Sequence, residues 1–145
     1  MLTVPRTLLF ALATALCTAS CSTSPGQVPL EPSGTPCALP ASVQLSNPTN
    51  GAQGVSTSIG EVRIVVNASN DPLGTGWDLV LLELGTNVSQ TPLTLLPTPG
   101  SPKSSIPAFY QANVPPLYAN DIYQVYLIRP AGACAPNLIG AFTTQ

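Results

Sequence analysis

The sequence contains no histidine and few charged residues of either sign. Only 7% of its 145 residues are charged, with four basic and six acidic side chains, whereas roughly a quarter is usual in soluble domains. The basic residues are scattered singly along the chain: Arg6, Arg63, Lys103 and Arg129. A nucleic-acid-binding surface needs clustered basic side chains. We therefore exclude nucleic acid as a partner.

The lack of histidine also restricts catalysis, because it leaves the carboxylates as the main acid-base groups. These are isolated along the sequence: Glu31, Glu61, Asp71, Asp78, Glu83 and Asp121. No serine stands in a nucleophile motif such as Gly-x-Ser-x-Gly. Asn70, Asp71 and Asp78 flank one loop, but their spacing is not that of a calcium loop, and turn chemistry explains them. We expect no enzymatic activity, no metal site and no cofactor.

Long helices are also missing from the pattern. Prolines (17) and glycines (11) interrupt the chain at short intervals, and both residues are unfavourable inside helices. The length is enough for one domain once a targeting segment is removed.

The first 20 residues have the features of a secretory signal peptide. Arg6 is followed by an apolar run over residues 8–16, which is too short for a stable membrane span. Residues 18–21, Thr-Ala-Ser-Cys, resemble the lipobox of bacterial lipoproteins, although Thr18 stands where that family usually has leucine. The resemblance implies a diacylglycerol on Cys21 that anchors the protein to a membrane of the cell envelope, at the outer membrane or cell surface.

Ordinary signal cleavage after Ala19 is the alternative, and it would give a secreted protein. Cysteine parity favours the lipoprotein, because removal of Cys17 and acylation of Cys21 leave one pair, whereas cleavage after Ala19 leaves three cysteines. The stretch that follows the lipobox is rich in serine and proline and has no apolar periodicity. Residues 21–36 are therefore interpreted as the lipidated cysteine and a disordered tether, which precede a domain of residues 37–145.

Seven short β-strands are predicted in this domain. The clearest covers residues 61–68, where Val62, Ile64 and Val66 share one face. The strand at residues 77–84 is apolar on both faces, with Trp77 on the core side. The other strands are expected within residues 43–55, 91–96, 109–114, 122–129 and 138–144. Seven strands separated by turn residues predict an all-β, antiparallel β-sandwich.

Two motifs resemble immunoglobulin-like and fibronectin type III-like domains. Residues 48–55, Pro-Thr-Asn-Gly-Ala-Gln-Gly-Val, resemble the opening phrase of bacterial members. Residues 117–125, Leu-Tyr-Ala-Asn-Asp-Ile-Tyr-Gln-Val, are similar to the signature Leu-x-Pro-x-Thr-x-Tyr-x-Val. The resemblance implies a corner formed by Leu117, Tyr123 and Val125, in which the tyrosine hydroxyl returns to the backbone. It indicates the fold and leaves function open, since such domains serve as spacers, adhesins and accessory modules.

The resemblance also implies a disulfide. In that topology Cys37, before the first strand, and Cys134, in the loop before the last strand, lie at the same end of the sandwich. The alternative is two free thiols, which is unusual in a secreted chain.

Two strands of the predicted sandwich carry more apolar residues than one buried face needs. In the implied topology they pair in one sheet, and their second rows share its outer side: Val80, Leu82, Leu84, Tyr126 and Ile128. An exposed stripe of this kind marks an interface. The alternatives are that a loop covers the rows or that the register of residues 77–84 differs.

Together these patterns predict a non-catalytic binding or spacer module of the cell envelope that contacts a protein partner or itself. A carbohydrate-binding or adhesive accessory domain is the alternative, with Trp77 or Tyr118 as the aromatic residue that would stack on a sugar.

Overall fold

The structure is a computed structural model that describes residues 34–68, 72–86, 88–89, 91–99, 106–132 and 134–145. The predicted signal peptide, the lipidation site Cys21 and most of the tether lie outside the described residues. Asn70 and Asp71 of the rejected calcium loop lie outside them as well.

The described residues form ten β-strands and no helix. The strands are β1 Val43–Asn47, β2 Ala52–Val55, β3 Glu61–Val66, β4 Asp78–Glu83, β5 Val88–Ser89, β6 Leu93–Thr94, β7 Leu96–Pro97, β8 Ala108–Asn113, β9 Ile122–Ile128 and β10 Asn137–Thr144. Within this part of the chain, no helix has the length and apolar character needed to cross a membrane.

Two sheets enclose one main hydrophobic core. The four-stranded sheet has the order β1-β3-β8-β7, and the six-stranded sheet has the order β2-β10-β9-β4-β5, with β6 also paired to β4. Buried side chains of both sheets form the core between them. The prediction of an all-β domain made of two sheets is confirmed, and the arrangement is compatible with an immunoglobulin-like β-sandwich.

The alternating pattern explains why the central strands form. In β3, Val62, Ile64 and Val66 are completely buried, whereas Arg63 between them is exposed. Burial of each aliphatic side chain stabilises the fold by about 1.5–3 kcal/mol relative to exposure. The pairing of β3 with β8 then places Tyr110 opposite Ile64 on the core side.

The predicted count of seven strands is wrong, and so is the purely antiparallel pairing. Residues 43–55 hold two strands, and β2 leaves the sheet of β1 to pair in parallel with β10 in the other sheet. The strand predicted at residues 91–96 is divided too: β6 pairs with β4 and β7 pairs with β8. Leu95 between them is buried in the core, so the chain crosses from one sheet to the other at this residue.

Candidate functional site

The corner before β9 is built around Tyr123. Its ring is completely buried and stacks on Phe142 of β10, with ring centroids 5.6 Å apart. Its hydroxyl accepts a hydrogen bond of 2.8 Å from the backbone N–H of Tyr118. Leu117 and Val125 are buried in the same core. The structure therefore brings the three corner residues together, and the hydroxyl ties β9 to the connection that precedes it.

Thr144, which the sequence analysis did not single out, closes this corner from the end of β10. Its buried hydroxyl donates to the carbonyl oxygen of Tyr118 at 2.7 Å and accepts from the N–H of Asp121 at 3.0 Å. Its own N–H donates to the carbonyl oxygen of Asp121 at 2.9 Å. No local motif identifies this role, because 23 residues separate Thr144 from Asp121.

Glu83 and Asp121 form a carboxyl pair beside the corner. Glu83 is buried, at 5% exposure, and lies opposite Tyr123, while Oδ1 of Asp121 accepts a hydrogen bond of 3.0 Å from the N–H of Gly85, two residues after Glu83. Burial raises the pKa of Glu83, and the neighbouring Asp121 raises it further. Partial burial acts to raise the pKa of Asp121 as well, but hydrogen bonds from Ile122, Gly85 and Glu83 lower it. Burial, with these carboxyl groups nearby, raises the pKa of Tyr123.

The opposite end of the sandwich carries the disulfide. Cys37 and Cys134 are bonded, with their Cα atoms 4.9 Å apart, which confirms the predicted pair. The N–H of Cys37 donates to the carbonyl oxygen of Ala135 at 3.0 Å, and the N–H of Ala135 donates to the carbonyl oxygen of Thr35 at 2.9 Å. The start of the described chain is thereby fixed to the loop before β10.

The outer side of the six-stranded sheet carries the second apolar surface, which we call the outer face. It consists of Val80, Leu82, Leu84, Ile122, Tyr126, Ile128 and Leu138. The register pairs Val80 with Tyr126 and Tyr126 with Leu138, and paired residues of neighbouring strands point to the same side of a sheet. The N–H of Leu84 donates to the carbonyl oxygen of Ile122 at 2.9 Å. This hydrogen bond continues the pairing of β4 with β9 and places Leu84 beside Ile122 on the outer face.

The expectation of a continuous exposed row is wrong at two positions of the outer face. Val80 and Ile128 are buried, and with the half-buried Leu82 and Tyr126 they form a small cluster separate from the main core. Leu84 is exposed, as expected. The predicted register is correct, since Val80 pairs with Tyr126 on the side away from the core. Val80 and Ile128 do face the outer side as predicted, but they are covered there and not exposed to solvent.

Two exposed members of the outer face were not predicted from the sequence. Ile122 is 45% exposed, and Leu138 is 55% exposed. Period-2 alternation from Tyr126 identifies the side on which Ile122 lies. Leu138 could not be assigned to a side in the same way, because the pairing of β10 with β9 shifts between Leu138 and Gly140. The exposed aliphatic residues thus lie at both ends of the outer face.

The two candidate sugar-stacking residues occupy different environments. Trp77 is buried in the core, and the guanidinium of Arg129 lies 5.7 Å from the centre of its ring. Trp77 is therefore excluded as an exposed stacking platform. Tyr118 is exposed at the corner, and Phe109 of β8 is exposed on the other sheet. These two aromatic residues belong to different parts of the fold.

Two shallow grooves accompany the sheets. One, of about 250 Å³, is lined by Pro92, Leu93, Thr94, Leu96, Gln111 and Asn113. The other, of about 270 Å³, is lined by Ser42, Gln44, Val65, Asn67 and Pro107. Both are slightly smaller than the ~300–1,000 Å³ that is usual for small-molecule sites. Within the described ranges, no three cysteine or acidic side chains are grouped as metal ligands would be.

The residues thus define an all-β, two-sheet domain with a hydrogen-bonded corner at one end, a disulfide at the other and an aliphatic outer face between them. Comparisons with protein-family models, with curated proteins and with solved structures find no match.

Proposed function

We propose that the protein is a non-catalytic, lipid-anchored binding or spacer module of the bacterial cell envelope, with a fibronectin type III-like sandwich. It contacts a protein partner or a second copy of itself through the outer face. The observation that carries this proposal is the exposure of three aliphatic side chains on one side of one sheet: Leu84, Ile122 and Leu138. These side chains lie at the two ends of one apolar sheet face, and an apolar face with exposed aliphatic side chains is a feature of interaction surfaces.

The cysteine pairing supports the anchor. The disulfide uses Cys37 and Cys134, which leaves Cys17 and Cys21 as the other cysteines of the sequence. Signal cleavage before Cys21 removes Cys17, and acylation then accounts for the last thiol. This cleavage leaves no free thiol in an oxidising compartment, whereas cleavage after Ala19 leaves Cys21 unpaired.

The position of the disulfide supports contact through the sheet face. The tether enters the domain beside Ala135, at the end of the sandwich where β9 finishes and β10 begins. This end therefore faces the membrane. The outer face extends away from it along β9, over roughly 20 Å at 3.3 Å per residue, so that Leu138 is nearer to the membrane and Ile122 is farther from it.

Chemical cross-linking of the full-length protein in its own membrane tests the contact. We expect the wild type to form a discrete adduct, either with itself or with one envelope protein, and Leu138→Ser to weaken it about tenfold because a polar side chain removes part of the apolar contact. Leu96→Ser is the matched control, since Leu96 is equally exposed, at 54%, on the other sheet. Equal loss in both variants, or no adduct in the wild type, would contradict the proposal.

Labelling with radioactive palmitate tests the anchor separately. We expect the wild type to be labelled and to sediment with membranes, and Cys21→Ala to lose the label and become soluble. An unlabelled wild type whose mature chain begins at Ser20 would show ordinary cleavage after Ala19 and overturn the anchor.

A carbohydrate-binding accessory domain is the second candidate. The groove of about 270 Å³ favours it, because Ser42, Gln44 and Asn67 line the groove and amide and hydroxyl groups hydrogen-bond to sugar hydroxyls. Screening of immobilised glycans discriminates between the two functions. Binding that is lost in Asn67→Ala and kept in Leu138→Ser would favour the carbohydrate.

A further inference from the structure

The proposed function does not use the buried carboxyl pair beside the corner. Glu83 is the last residue of β4, where it continues the core-side row of Leu79 and Leu81. It pairs across the ladder with Tyr123 and is 5% exposed. A charged side chain at a core-side position is strongly unfavourable unless it is partnered or neutralised, so this carboxyl needs an explanation.

The hydrogen bonds around Asp121 indicate that it is the ionised member of the pair. Its Oδ1 atom accepts from the N–H of Ile122 at 2.7 Å and from that of Gly85 at 3.0 Å. Two donors on one oxygen favour the ionised form of Asp121. Ionised carboxylates only accept hydrogen bonds. Asp121 therefore stays ionised beside Glu83, and a core-side carboxyl next to a negative charge is favourable only when it carries a proton.

The surroundings of the pair hold no described cation. The side chain of Thr86 acts to lower the pKa of Glu83, against the larger effect of burial. Tyr123 lies opposite Glu83 in β9, and β5 places uncharged Val88 opposite it on the other side.

The described arginines lie elsewhere. Arg63 is paired with Glu61 on the other sheet, and Arg129 lies over Trp77 beyond the far end of β9. Among the described residues, no cation lies in position to neutralise Glu83.

We propose that Glu83 and Asp121 share one proton and form a pH-sensitive latch that holds the turn at residues 84–86 against the corner at residues 118–121. With the proton in place, Glu83 donates to Asp121, and Asp121 holds the N–H groups of Gly85 and Ile122. Loss of the proton puts two negative charges next to each other, one of them in the core. The carboxylate of Glu83 then leaves the core, and the contact between the turn and the corner loosens.

The direction of the pH effect follows from the pKa of each group. The pKa of Glu83 is raised above 4.5 by burial, so its contribution to stability is complete below pH 4.5 and is lost as the pH rises through its folded-state pKa. The pKa of Asp121 lies below 3.8, so its contribution is present above pH 3.8 and is lost as the pH falls through its own folded-state pKa. The latch is therefore strongest in mild acid, between these two limits.

Thermal unfolding of the full-length protein in detergent, followed from pH 4 to pH 9, tests the latch. We expect Glu83→Gln to be more stable than the wild type at high pH, by on the order of 5 °C, because the amide donates to Asp121 and does not ionise. The advantage should disappear near pH 4.

The wild-type profile also contains a contribution from Asp78, whose pKa is raised by burial. Because Asp78 is present in both the wild type and Glu83→Gln, its contribution cancels in the difference between their stability profiles. Glu61→Gln is the control, since Glu61 lies at the start of β3 in the other sheet, in an ion pair with the exposed Arg63. Parallel profiles for Glu83→Gln and the wild type would overturn the proposal.

Carbon-13 NMR of the side-chain carboxyl groups measures the titration midpoint of Glu83 directly. This midpoint is not raised if Glu83 has only a structural role. We expect Glu83 to titrate with a midpoint above 4.5 and the amide signals of Gly85 and Ile122 to shift at the same midpoint. In Asp121→Asn the midpoint of Glu83 should fall towards 4.5, because the neighbouring negative charge is gone. A midpoint of 4.5 for Glu83 in the wild type would overturn the latch even if the Glu83→Gln variant did not fold.

Discussion

At the scale of single residues, two tyrosine hydroxyls bind the backbone of loops to the core. The hydroxyl of Tyr123 accepts from the N–H of Tyr118 at 2.8 Å, and that of Tyr110 accepts from the N–H of Leu73 at 3.2 Å. Both rings are buried. An amphipathic tyrosine can fill a core position and still satisfy a backbone donor at its edge, which explains why phenylalanine does not suit these places.

The first prediction concerns Tyr123→Phe. We expect a loss of about 1–3 kcal/mol in the free energy of unfolding, because the N–H of Tyr118 loses its acceptor while the packing on Phe142 is kept. Urea unfolding measures this change. Tyr126→Phe is the control on the same strand: its hydroxyl bonds to the side chain of Gln124 on the outer face, and removal should change stability by less than about 0.5 kcal/mol. Equal losses in the two variants would contradict the role of the corner.

At the scale of elements, β10 packs closely against β1 of the other sheet at Gly140. A Cβ atom at this position would lie 3.0 Å from the Cβ of Leu45 in β1 and 3.0 Å from Oδ1 of Asn50. The same Oδ1 accepts from the N–H of Ala141 at 2.9 Å. A side chain at position 140 would therefore press on β1 and on the turn after it, which favours glycine at this close approach.

The second prediction is that Gly140→Ala is destabilising. We expect a loss of about 1–3 kcal/mol, because Leu45 and Asn50 must move to make room for the methyl group. Denaturant unfolding measures the loss. Ala141→Ser at the next position, where the side chain points to the other side of the sheet, should change stability by less than about 0.5 kcal/mol. A stable Gly140→Ala variant would show that the approach of β1 to β10 is not tight.

How much of the domain can be predicted from the sequence depends on the range of the interaction. The strand β3 was predictable because alternation is local, and the corner was predictable because Leu117 and Tyr123 are six residues apart. The parallel pairing of β2 with β10 was not, since it joins residues that are 90 apart, such as Ala52 and Phe142. Sequence periodicity contains no information about which strand lies next to which.

The candidate sites follow the same rule. The two sides of β4 were predictable, but the burial of Val80 and Ile128 depends on what covers the sheet, which periodicity does not report. The pairing of Glu83 with Asp121 was also missed, because each carboxylate stands alone in the sequence and the two meet only when β4 pairs with β9.

At the scale of the whole molecule, the disulfide closes almost the entire domain into one loop. The bonded cysteines are 97 residues apart. In the chain-entropy account, a loop of this size stabilises the folded state by on the order of 4 kcal/mol. The bond also fixes the point where the proposed tether enters.

The third prediction is that replacing both cysteines, Cys37→Ser with Cys134→Ser, lowers the free energy of unfolding by on the order of 4 kcal/mol. Denaturant unfolding with and without reductant measures this. The oxidised wild type should lose a similar amount on reduction, whereas the double variant should not respond to reductant. A wild type that is insensitive to reductant would contradict the structural role of the bond.

Site-specific photo-cross-linking in living cells tests most directly whether the outer face contacts a partner or a second copy. A photoreactive amino acid is placed at position 122, replacing Ile122 on the outer face, and in a second strain at position 96, replacing Leu96 on the opposite sheet. We expect one discrete adduct from position 122, with a second copy or with a single envelope protein, and none from position 96. No adduct from position 122, or the same adducts from both positions, would contradict it.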